Sequence, residues 1–352
     1  MATLQCVKIR NFRNVADKEI VMLGSNIISG ANMTGKTNTL NAIHWAFTGV
    51  DLTGSNDNRA NFPIDGGNKT SVFLDFGSFT FERVCEMAND TPTVTVLIDG
   101  EATNSVKAGE ALLYAKLGLA DLVLTQPKGF DIVRFLINPL YFDTISPSAL
   151  RKFFYKLANV DLNAIAAQQT KPVKEVLEKM NLAFNDPYKL SEAITKTKKN
   201  IENCIKTCRL AADMFPSIKE EAADTEKVFI KDLKTTETNE ALIDKYALNV
   251  SKKVNEYYEK AMGIKVCVLE KGVGDGVYKD VCYPILPKSG LPFSAGSQAE
   301  KTYVGVKFIN EVCLTWNIKP LVVLIDNMES LDEFTTKYLN DLGVQYIGAL
   351  VK

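Results

Sequence analysis

The sequence predicts an α/β protein in which two sheet-forming halves flank a helical insertion. In the first half, short apolar runs between Leu4 and Ser29 are separated by polar turns, and a helix over Thr37 to Phe47 follows a glycine-rich loop. From 186 to 260 glycine is absent and charge is dense, which favours helices. After Gly263 the strand pattern returns. These observations predict a mixed or parallel sheet core, an antiparallel lobe and a short helical hairpin.

The antiparallel lobe is predicted downstream of the first helix. A polar stretch from Val50 to Thr70 precedes the alternating segments SVFLDFGSFTFERV and TVTVLIDG, which are typical of an antiparallel hairpin region. A helical segment near Ala108 to Leu117 follows. The proline-punctuated segment FLINPLYFDTISP then leads into a helix from Ser148.

The insertion is predicted to be a helical hairpin with its bend at Pro216. Arms of about 20 to 30 residues would reach about 30 to 45 Å at 1.5 Å per residue. An ordinary helical subdomain packed on the core fits the same pattern. The predicted domains are 1–185, 186–260 and 261–352. The residues that approximate a heptad seam on the first arm are Leu190, Ile194, Ile201, Ile205 and Cys208.

The C-terminal half alternates strands with helices. IKVCVLEKG and DVCYPIL are typical of strands, and a helix is predicted from about Gly296 to Trp316. The apolar strand LVVLID, a helix near Glu333 to Leu342 and a last strand, VQYIGALV, complete the chain.

Composition indicates a globular protein without an overall electrostatic affinity for nucleic acid or acidic lipid. Of 352 residues, 46% are hydrophobic and 24% charged, and 41 basic against 42 acidic side chains give a formal net charge of −1. Any contact with DNA would need a local patch. The seven cysteines are scattered and include no CxxC pair, which disfavours disulfides and a zinc site. We therefore expect a protein of the reducing cytoplasm, with no signal peptide and no membrane span.

The segment GANMTGKT, residues 30 to 37, is a full match to the phosphate-loop motif G-x-x-x-x-G-K-[ST], and it lies where a strand turns into a helix. Small residues such as Gly30 and Gly35, with Asn32 between them, let backbone N–H groups surround phosphate oxygens. Lys36 adds a positive charge at the β and γ phosphates, and the Thr37 hydroxyl can bind Mg²⁺. The segment therefore predicts a nucleotide site.

Two further segments carry weaker signals. In KPLVVLIDNMESLD, residues 319 to 332, an apolar strand ends at Asp326, on the sheet edge where α/β proteins bind ligands. Together with the phosphate loop, Asp326 is the predicted direct or indirect Mg²⁺ partner of Thr37. In LPFSAGSQAEK, residues 291 to 301, a turn of small residues opens a helix and could bind an anion. Taken alone, this turn fits a plain helix cap better than an anion site.

These segments carry a resemblance to a known group. The opening, LQCVKIRNFRNVADKEIVMLGSNIISGANMTGKTNTLNAIHWAFTG, resembles the start of SMC, SbcC and RecF-like ATPases. SAGSQAEKTYVGVKFINEV and LVVLIDNMESLD are similar to the ABC signature and Walker B regions of the same group. Small phage or prophage members look most similar. The resemblance covers about residues 1 to 50 and 250 to 350.

The resemblance implies a P-loop ABC-type ATPase head that uses ATP and Mg²⁺ and acts in DNA repair, recombination or replication. Lys36 and Thr37 would then lie at the phosphates and Asp326 at the metal. The residues expected on the base or α-phosphate side are Arg10, Asn11 and Arg13.

The resemblance also implies a homodimer that forms on ATP. Ser294 and Gly296 would contact the γ-phosphate of a nucleotide bound to a second subunit, so that ATP lies between two heads. A nuclease or recombination protein is a further expected partner, because the sequence shows no nuclease metal cluster of its own.

Several positions depart from the group's pattern. Asn327 stands where a catalytic Glu normally follows the Walker B Asp, which leaves Glu329 as the candidate to orient the attacking water and implies slow turnover. The group's Q-loop glutamine is replaced, on our interpretation, by Asn138. The single histidine, His44, lies on the helix after the phosphate loop, where we expect a packed or surface role.

An alternative function is an ATP-gated clamp or adaptor with little or no hydrolysis. A transporter subunit would place the signature much closer to the phosphate loop, and a small-molecule kinase would need no signature. DNA contact without sequence specificity is a hypothesis that rests on a local excess of four positive charges, which a solvated helix face explains equally well. These charges are Lys189, Lys196, Lys198, Lys199, Lys206 and Arg209 against Glu192 and Glu202.

Overall fold

The computed structural model describes residues 3–22, 24–63, 66–180, 186–272 and 278–351. Within it the chain forms two compact units, one made of residues 1–153 and 284–352, the other of residues 154–283. The predicted domain limits at 185/186 and 260/261 stay a prediction. In the described residues, no helix is long and apolar enough to cross a membrane.

The first unit begins with strands, a central helix and an antiparallel hairpin region, followed by short helices. The strands are β1 (Cys6–Phe12), β2 (Val15–Val21), β3 (Ser25–Gly30), β4 (Lys69–Asp75), β5 (Thr80–Ala88), β6 (Thr91–Ile98) and β7 (Glu101–Ala102). The helices are α1 (Lys36–Thr48), α2 (Val106–Lys116), α3 (Ala120–Thr125), α4 (Ile132–Ile137) and α5 (Pro147–Leu157), the last of which runs across the boundary of the unit.

The second unit is mainly helical. Its helices are α6 (Leu162–Ala167), α7 (Lys171–Met180), α8 (Pro187–Met214) and α9 (Lys219–Met262). Its short strands are β8 (Lys265–Cys267), β9 (Glu270–Lys271) and β10 (Tyr278–Lys279).

The chain then returns to the first unit with three strands and two helices. These elements are β11 (Tyr283–Ile285), whose first residue still belongs to the second unit, α10 (Gln298–Thr315), β12 (Val323–Ile325), α11 (Glu333–Asp341) and β13 (Tyr346–Val351).

The first unit contains two sheets, as predicted for a mixed α/β protein. The larger is antiparallel, with strand order β2-β1-β4-β5-β6-β7. The smaller is parallel, with order β12-β13-β3. The predicted combination of a parallel core with an antiparallel lobe is therefore confirmed.

Helix α1 lies between the two sheets, in contact with β1 and β4 of the antiparallel sheet and with all three strands of the parallel sheet. Every residue from Thr39 to Phe47 is buried, as expected of a helix that is covered on all sides. At its C-terminal end, Nε of the buried Arg83 donates a hydrogen bond to the Ala46 carbonyl, and Nη2 pairs with Glu110 at 2.6 Å. A positive charge beside helix carbonyls is favourable.

The helical hairpin of the second unit consists of α8 and α9, which pack along each other and turn at Pro216. Of the predicted seam, Leu190, Ile194 and Ile205 are buried and the other two residues are half-buried. The second arm has 44 residues, longer than predicted, because neither glycine nor proline interrupts it. Its C-terminal half packs on α6 and α7.

Gly305, on α10, gives a first prediction about the packing of the first unit. A Cβ atom at this position would lie 1.9 Å from the carbonyl oxygen of Pro139, a backbone atom that cannot turn away. We expect Gly305→Ala to lower the free energy of unfolding by roughly 1 to 3 kcal/mol or more. Urea unfolding followed by tryptophan fluorescence measures this, because both tryptophans, Trp45 and Trp316, lie in this unit. Leu314→Ala, at a side chain that is 69% exposed on the same helix, is the control and should change stability little.

A second prediction concerns pH, because burial lowers the pKa of His44 to about 4. The imidazole is fully buried, as the packed role required, and its Nδ1 hydrogen-bonds to the Val50 carbonyl. A histidine that is neutral in the fold contributes stability above its unfolded pKa of 6.5, and this is lost as pH falls from 6.5 towards 4. We expect a total loss on the order of 3 kcal/mol. NMR titration of the only histidine tests this directly, and an imidazole that titrates near 6.5 would contradict it.

Candidate nucleotide-binding site

The phosphate loop connects the end of β3 to the start of α1. A Cβ on Gly30 would lie 2.9 Å from Thr34 Oγ1, so a larger residue would displace that side chain. Gly35 adopts a left-handed conformation with φ of 85°. Within the described residues, no side chain caps the N-terminus of α1. Its N–H groups and the positive end of the helix dipole are therefore directed at the space above the loop, as in an anion site.

Lys36 is the cation of this loop. Its side chain is buried, and its ammonium donates hydrogen bonds to the carbonyls of Gly30 and Ala31, at 3.0 and 2.5 Å. Both acceptors belong to the loop itself. The charge therefore lies against the backbone that would surround a phosphate group.

Thr37 and Asp326, which are 289 residues apart in sequence, are in contact. The Thr37 hydroxyl lies 3.0 Å from each carboxylate oxygen of Asp326. The parallel sheet explains the contact, because β13 lies between β3 and β12, with Val351 opposite Gly30 and Gly348 opposite Ile325. The loop and the Asp326 carboxylate thus leave the same edge of the sheet, at the carboxyl ends of its strands.

A pocket of about 170 Å³ opens between these groups. Six of the predicted residues line it, namely Asn32, Gly35, Lys36, Thr37, Asp326 and Asn327. Two further polar residues of the lining, Asn14 and Asn38, were not predicted. Asn38 directly follows the phosphate-loop motif, so its position was a usable signal. The sequence around Asn14 gave no such signal, because Asn14 lies on the turn between β1 and β2 of the antiparallel sheet.

The segment after Asp326 forms a tight turn. Asn327 is left-handed, with φ of 56°, and its carbonyl accepts hydrogen bonds from the amide and the hydroxyl of Ser330. The carboxylate of Glu329 accepts a hydrogen bond from the Val351 amide at 3.1 Å. Val351 lines the pocket whereas Glu329 does not, so Glu329 lies beside the pocket and is already engaged with the backbone.

Comparison with known proteins shows the family. A family profile described as an AAA domain matches residues 6–261, which is well over half of the 352 residues. The chain belongs to the AAA domain family. This match bears out the assignment to ATPase heads like those of SMC and RecF, whereas membership in a phage or prophage group stays a prediction. No curated protein sequence matches this AAA domain.

Solved structures give distant likenesses to this AAA domain. The Smc head of Pyrococcus furiosus, bound to the C-terminal domain of ScpA, is 12% identical with a TM-score of 0.48, covering 100% of this chain and 90% of that one. The recombination mediator protein RecF with ATP is 16% identical with a TM-score of 0.46, covering 99% and 93%. The SMC head domain of Thermotoga maritima is 12% identical with a TM-score of 0.36, covering 99% and 89%.

Arg10 and Asn11 of the AAA domain lie outside the lining of the phosphate-loop pocket. They are exposed at the end of β1 and line a separate depression of about 460 Å³ on the antiparallel sheet, beside Lys69 and Glu82. The structure therefore does not bring them to the phosphate-loop pocket, because strand direction carries their side chains along the other sheet.

Arg13 lies closer to the phosphate loop than Arg10 and Asn11 do, but its guanidinium is hydrogen-bonded to other side chains. Its guanidinium donates hydrogen bonds to Asp51 at 3.0 Å, to Asn61 at 3.2 Å and to Asn38 at 3.4 Å. Sequence had suggested a contact with the nucleotide. The structure instead makes Arg13 part of a network beside the pocket.

Asn138, which we interpreted as the Q-loop residue, lies in a turn, and its Q-loop role stays a prediction. Its side chain is buried, its Nδ2 donates to the Leu52 carbonyl at 3.2 Å, and its Oδ1 accepts from the Leu140 amide at 3.0 Å. Asn138 is absent from the described lining of the pocket. Because both ends of its amide are used to hold a turn, it serves packing here.

The signature turn lies before α10. Ser294 falls in the short 3-10 turn Phe293–Ala295, and Ser297 caps the helix by accepting from the Glu300 amide at 3.3 Å. Gly296 is required by packing, because a Cβ would lie 1.9 Å from Leu286. Neither Ser294 nor Gly296 is among the described residues that line the phosphate-loop pocket of the same chain.

The basic segment of α8 is partly neutralised. Lys198 pairs with Glu240 at 3.0 Å and Arg209 pairs with Glu226 at 2.7 Å, both across the hairpin. Lys196, Lys199 and Lys206 are exposed. The positive surface available to a phosphate backbone is therefore smaller than the sequence indicated.

Proposed function

We propose that this AAA domain binds ATP with Mg²⁺ and hydrolyses it slowly. The observation that carries the proposal is the contact between the Thr37 hydroxyl and the Asp326 carboxylate at the mouth of the phosphate loop. A hydroxyl and a carboxylate thus lie beside the uncapped N-terminus of α1 and the Lys36 ammonium. Few functions other than binding a metal-complexed polyphosphate require all three together.

The residues present fit Mg²⁺ and a nucleotide. Mg²⁺ commonly keeps several waters and takes one or two protein oxygens plus phosphate oxygens, which matches one hydroxyl and one carboxylate. Thr37 and Asp326 would hold the ion, which would offset charge on the β and γ phosphates. Lys36 would exchange its contacts with the Gly30 and Ala31 carbonyls for phosphate oxygens, while the N–H groups of the loop bind the same phosphates.

Water activation is the weaker part of the site. The Asn327 amide lines the pocket and can orient a water molecule, but it cannot accept its proton. Glu329 can accept a proton, and to reach the pocket it must leave the Val351 amide. This arrangement supports slow hydrolysis. It equally supports the second candidate function, an ATP-gated clamp or adaptor with little turnover.

Dimerisation on ATP is part of the proposal. Ser294 and Gly296 lie outside the pocket of their own chain, so they would have to meet a nucleotide held by a second copy. We further propose a role on DNA in repair, recombination or replication, with a nuclease or recombination protein as a possible partner. Its support is the sequence resemblance together with the exposed lysines Lys196, Lys199 and Lys206. None of the seven cysteines, all of which lie in the part of the chain that the structure describes, forms a disulfide, in keeping with a reducing compartment.

Nucleotide binding is tested with Lys36→Ala and Asp326→Asn. Loss of the ammonium should weaken ATP binding roughly 10- to 100-fold, because hydrogen bonds to charged groups contribute about 1.5 to 3 kcal/mol. Asp326→Asn keeps the shape and the contact with Thr37 but removes the negative charge. We therefore expect weaker binding in Mg²⁺ and no loss in EDTA.

Isothermal titration calorimetry with and without EDTA measures both effects. Lys234→Ala, on the exposed face of α9, is the control and should bind like wild type. Wild-type protein that does not bind ATP, or Lys36→Ala protein that binds it equally well, would refute the proposal.

Glu329→Gln separates the two candidate functions. If Glu329 orients or deprotonates the water, phosphate release should fall at least about 100-fold, while the ATP-bound dimer accumulates. Light scattering with Mg-ATP should then show twice the monomer mass of 38.9 kDa. Wild-type turnover at background, unchanged in Glu329→Gln but with ATP-dependent dimers, would favour the clamp. A monomer under all conditions would rule out ATP-dependent dimerisation.

A further inference from the structure

A chain of hydrogen bonds runs from Asp51 to the tip of the phosphate loop. The Asp51 carboxylate accepts from Arg13 Nη2 at 3.0 Å, and Arg13 Nη1 donates to Asn38 Oδ1 at 3.4 Å. Asn38 Nδ2 donates to Asn14 Oδ1 at 2.8 Å. Asn14 Nδ2 donates to the carbonyl of Met33, within the loop, at 3.0 Å. Three side chains thus connect a buried carboxylate to the loop backbone.

The Asp51 end of this chain is firmly anchored. Asp51 is buried, and its Oδ1 accepts hydrogen bonds from the amides of Thr53 and Ser55, each at 3.0 Å. Burial by itself would raise the pKa of this carboxyl, but hydrogen bonds from Thr53, Arg13 and Ser55 hold it below its ordinary value. Arg13 is also bound at Asn61, through its side chain at 3.2 Å and its amide at 3.1 Å.

The other end of the chain of hydrogen bonds, at Met33 of the phosphate loop, is not held by packing. Met33 is a left-handed residue with φ of 66°, a conformation that is strained in residues other than glycine. Its side chain is 94% exposed, so packing does not hold it there. Asn14 also lies against the start of α1, because a Cβ on Gly35 would be 3.0 Å from Asn14 Oδ1. The bond from Asn14 to the Met33 carbonyl therefore restrains the tip of the loop.

The direction of every bond in the chain follows from Arg13. A guanidinium can only donate, so Asn38 must present Oδ1 to Arg13 and Nδ2 to Asn14. Asn14 must then present Oδ1 to Asn38 and Nδ2 to Met33. The donor that reaches the loop is thus set by the charged residue at the other end.

We infer that Asn14 is a positioning residue of the phosphate loop, fixed through Asn38 and Arg13 by Asp51. It holds the loop in the conformation that presents its N–H groups to phosphates, which lowers the cost of reorganisation on binding. In this role Arg13 serves the loop rather than the nucleotide. The inference rests on the proposed function, because it takes the loop to be the polyphosphate site.

The test compares wild type with Asn14→Ala and Asn14→Asp. Asn14→Asp keeps the shape and the acceptor for Asn38 but sets a carboxylate against the Met33 carbonyl. Affinity is measured by calorimetry for ATP and for inorganic tripolyphosphate, which has no nucleoside. Asn14→Ala should bind both ligands roughly five- to tenfold more weakly, the value of one hydrogen bond. Asn14→Asp should bind them more weakly still, because its carboxylate also lies at the pocket and repels the polyanion. Asn203→Ala, at an exposed position of α8, is the matched control and should bind like wild type.

A double-variant cycle tests the connection to Asp51. Asp51→Asn should also weaken tripolyphosphate binding, and combining it with Asn14→Ala should add little, because both substitutions break the same chain. Full additivity would overturn the relay. Each variant is compared with wild type under conditions in which tryptophan fluorescence shows that both are folded. If Asn14→Ala does not fold, Asn14→Asp is used in its place.

The other outcomes are distinguishable. If ATP binding is unchanged in the Asn14 variants, the inference is wrong. If ATP binding weakens while tripolyphosphate binding is unchanged, Asn14 contacts the nucleoside and is not a positioning residue. If wild type binds neither ligand, it is the proposed function that fails.

Discussion

Helix α1, enclosed between two sheets, is the constraint on which the rest of the site depends. Its residues from Thr39 to Phe47 are buried against the antiparallel sheet on one side and the parallel sheet on the other. A helix that is buried between two sheets cannot shift without opening its interface with each of them. Its C-terminal end is held by the buried Arg83. The uncapped N-terminus, with Lys36 and Thr37, is therefore fixed in space before any ligand arrives.

The parallel sheet supplies the second half of the site. Strand β13, near the end of the chain, pairs with β3 and β12 in one register, and this register brings Asp326 to Thr37. A shift of one residue would turn alternate side chains of β13 to the opposite face and separate the groups. The contact therefore depends on both ends of the chain folding into the same unit.

Polar groups near the loop divide into two kinds. Lys36, Thr37 and Asp326 converge on the pocket and are free to exchange partners for phosphate or metal. Arg13 and Asp51 instead form an ion pair beside the pocket and act on the loop through amide side chains. A site built in this way keeps its ligand-binding groups few and their orientation fixed, which is the general requirement for preorganised binding.

The sequence by itself determined the local features. The phosphate loop, the strand that ends at Asp326 and the hairpin bend at Pro216 each follow from a short run of residues, because turn chemistry and strand patterning act over neighbours. Even the meeting of Thr37 with Asp326 could be predicted, since parallel strands present their carboxyl ends at one edge. Tertiary structure alone decided the partners of Arg13, Asn14 and Asn138. Apart from the Leu140 amide beside Asn138, those partners lie on other elements of the fold. Which polar groups a folded chain brings within hydrogen-bond distance depends on the packing of whole sheets and helices.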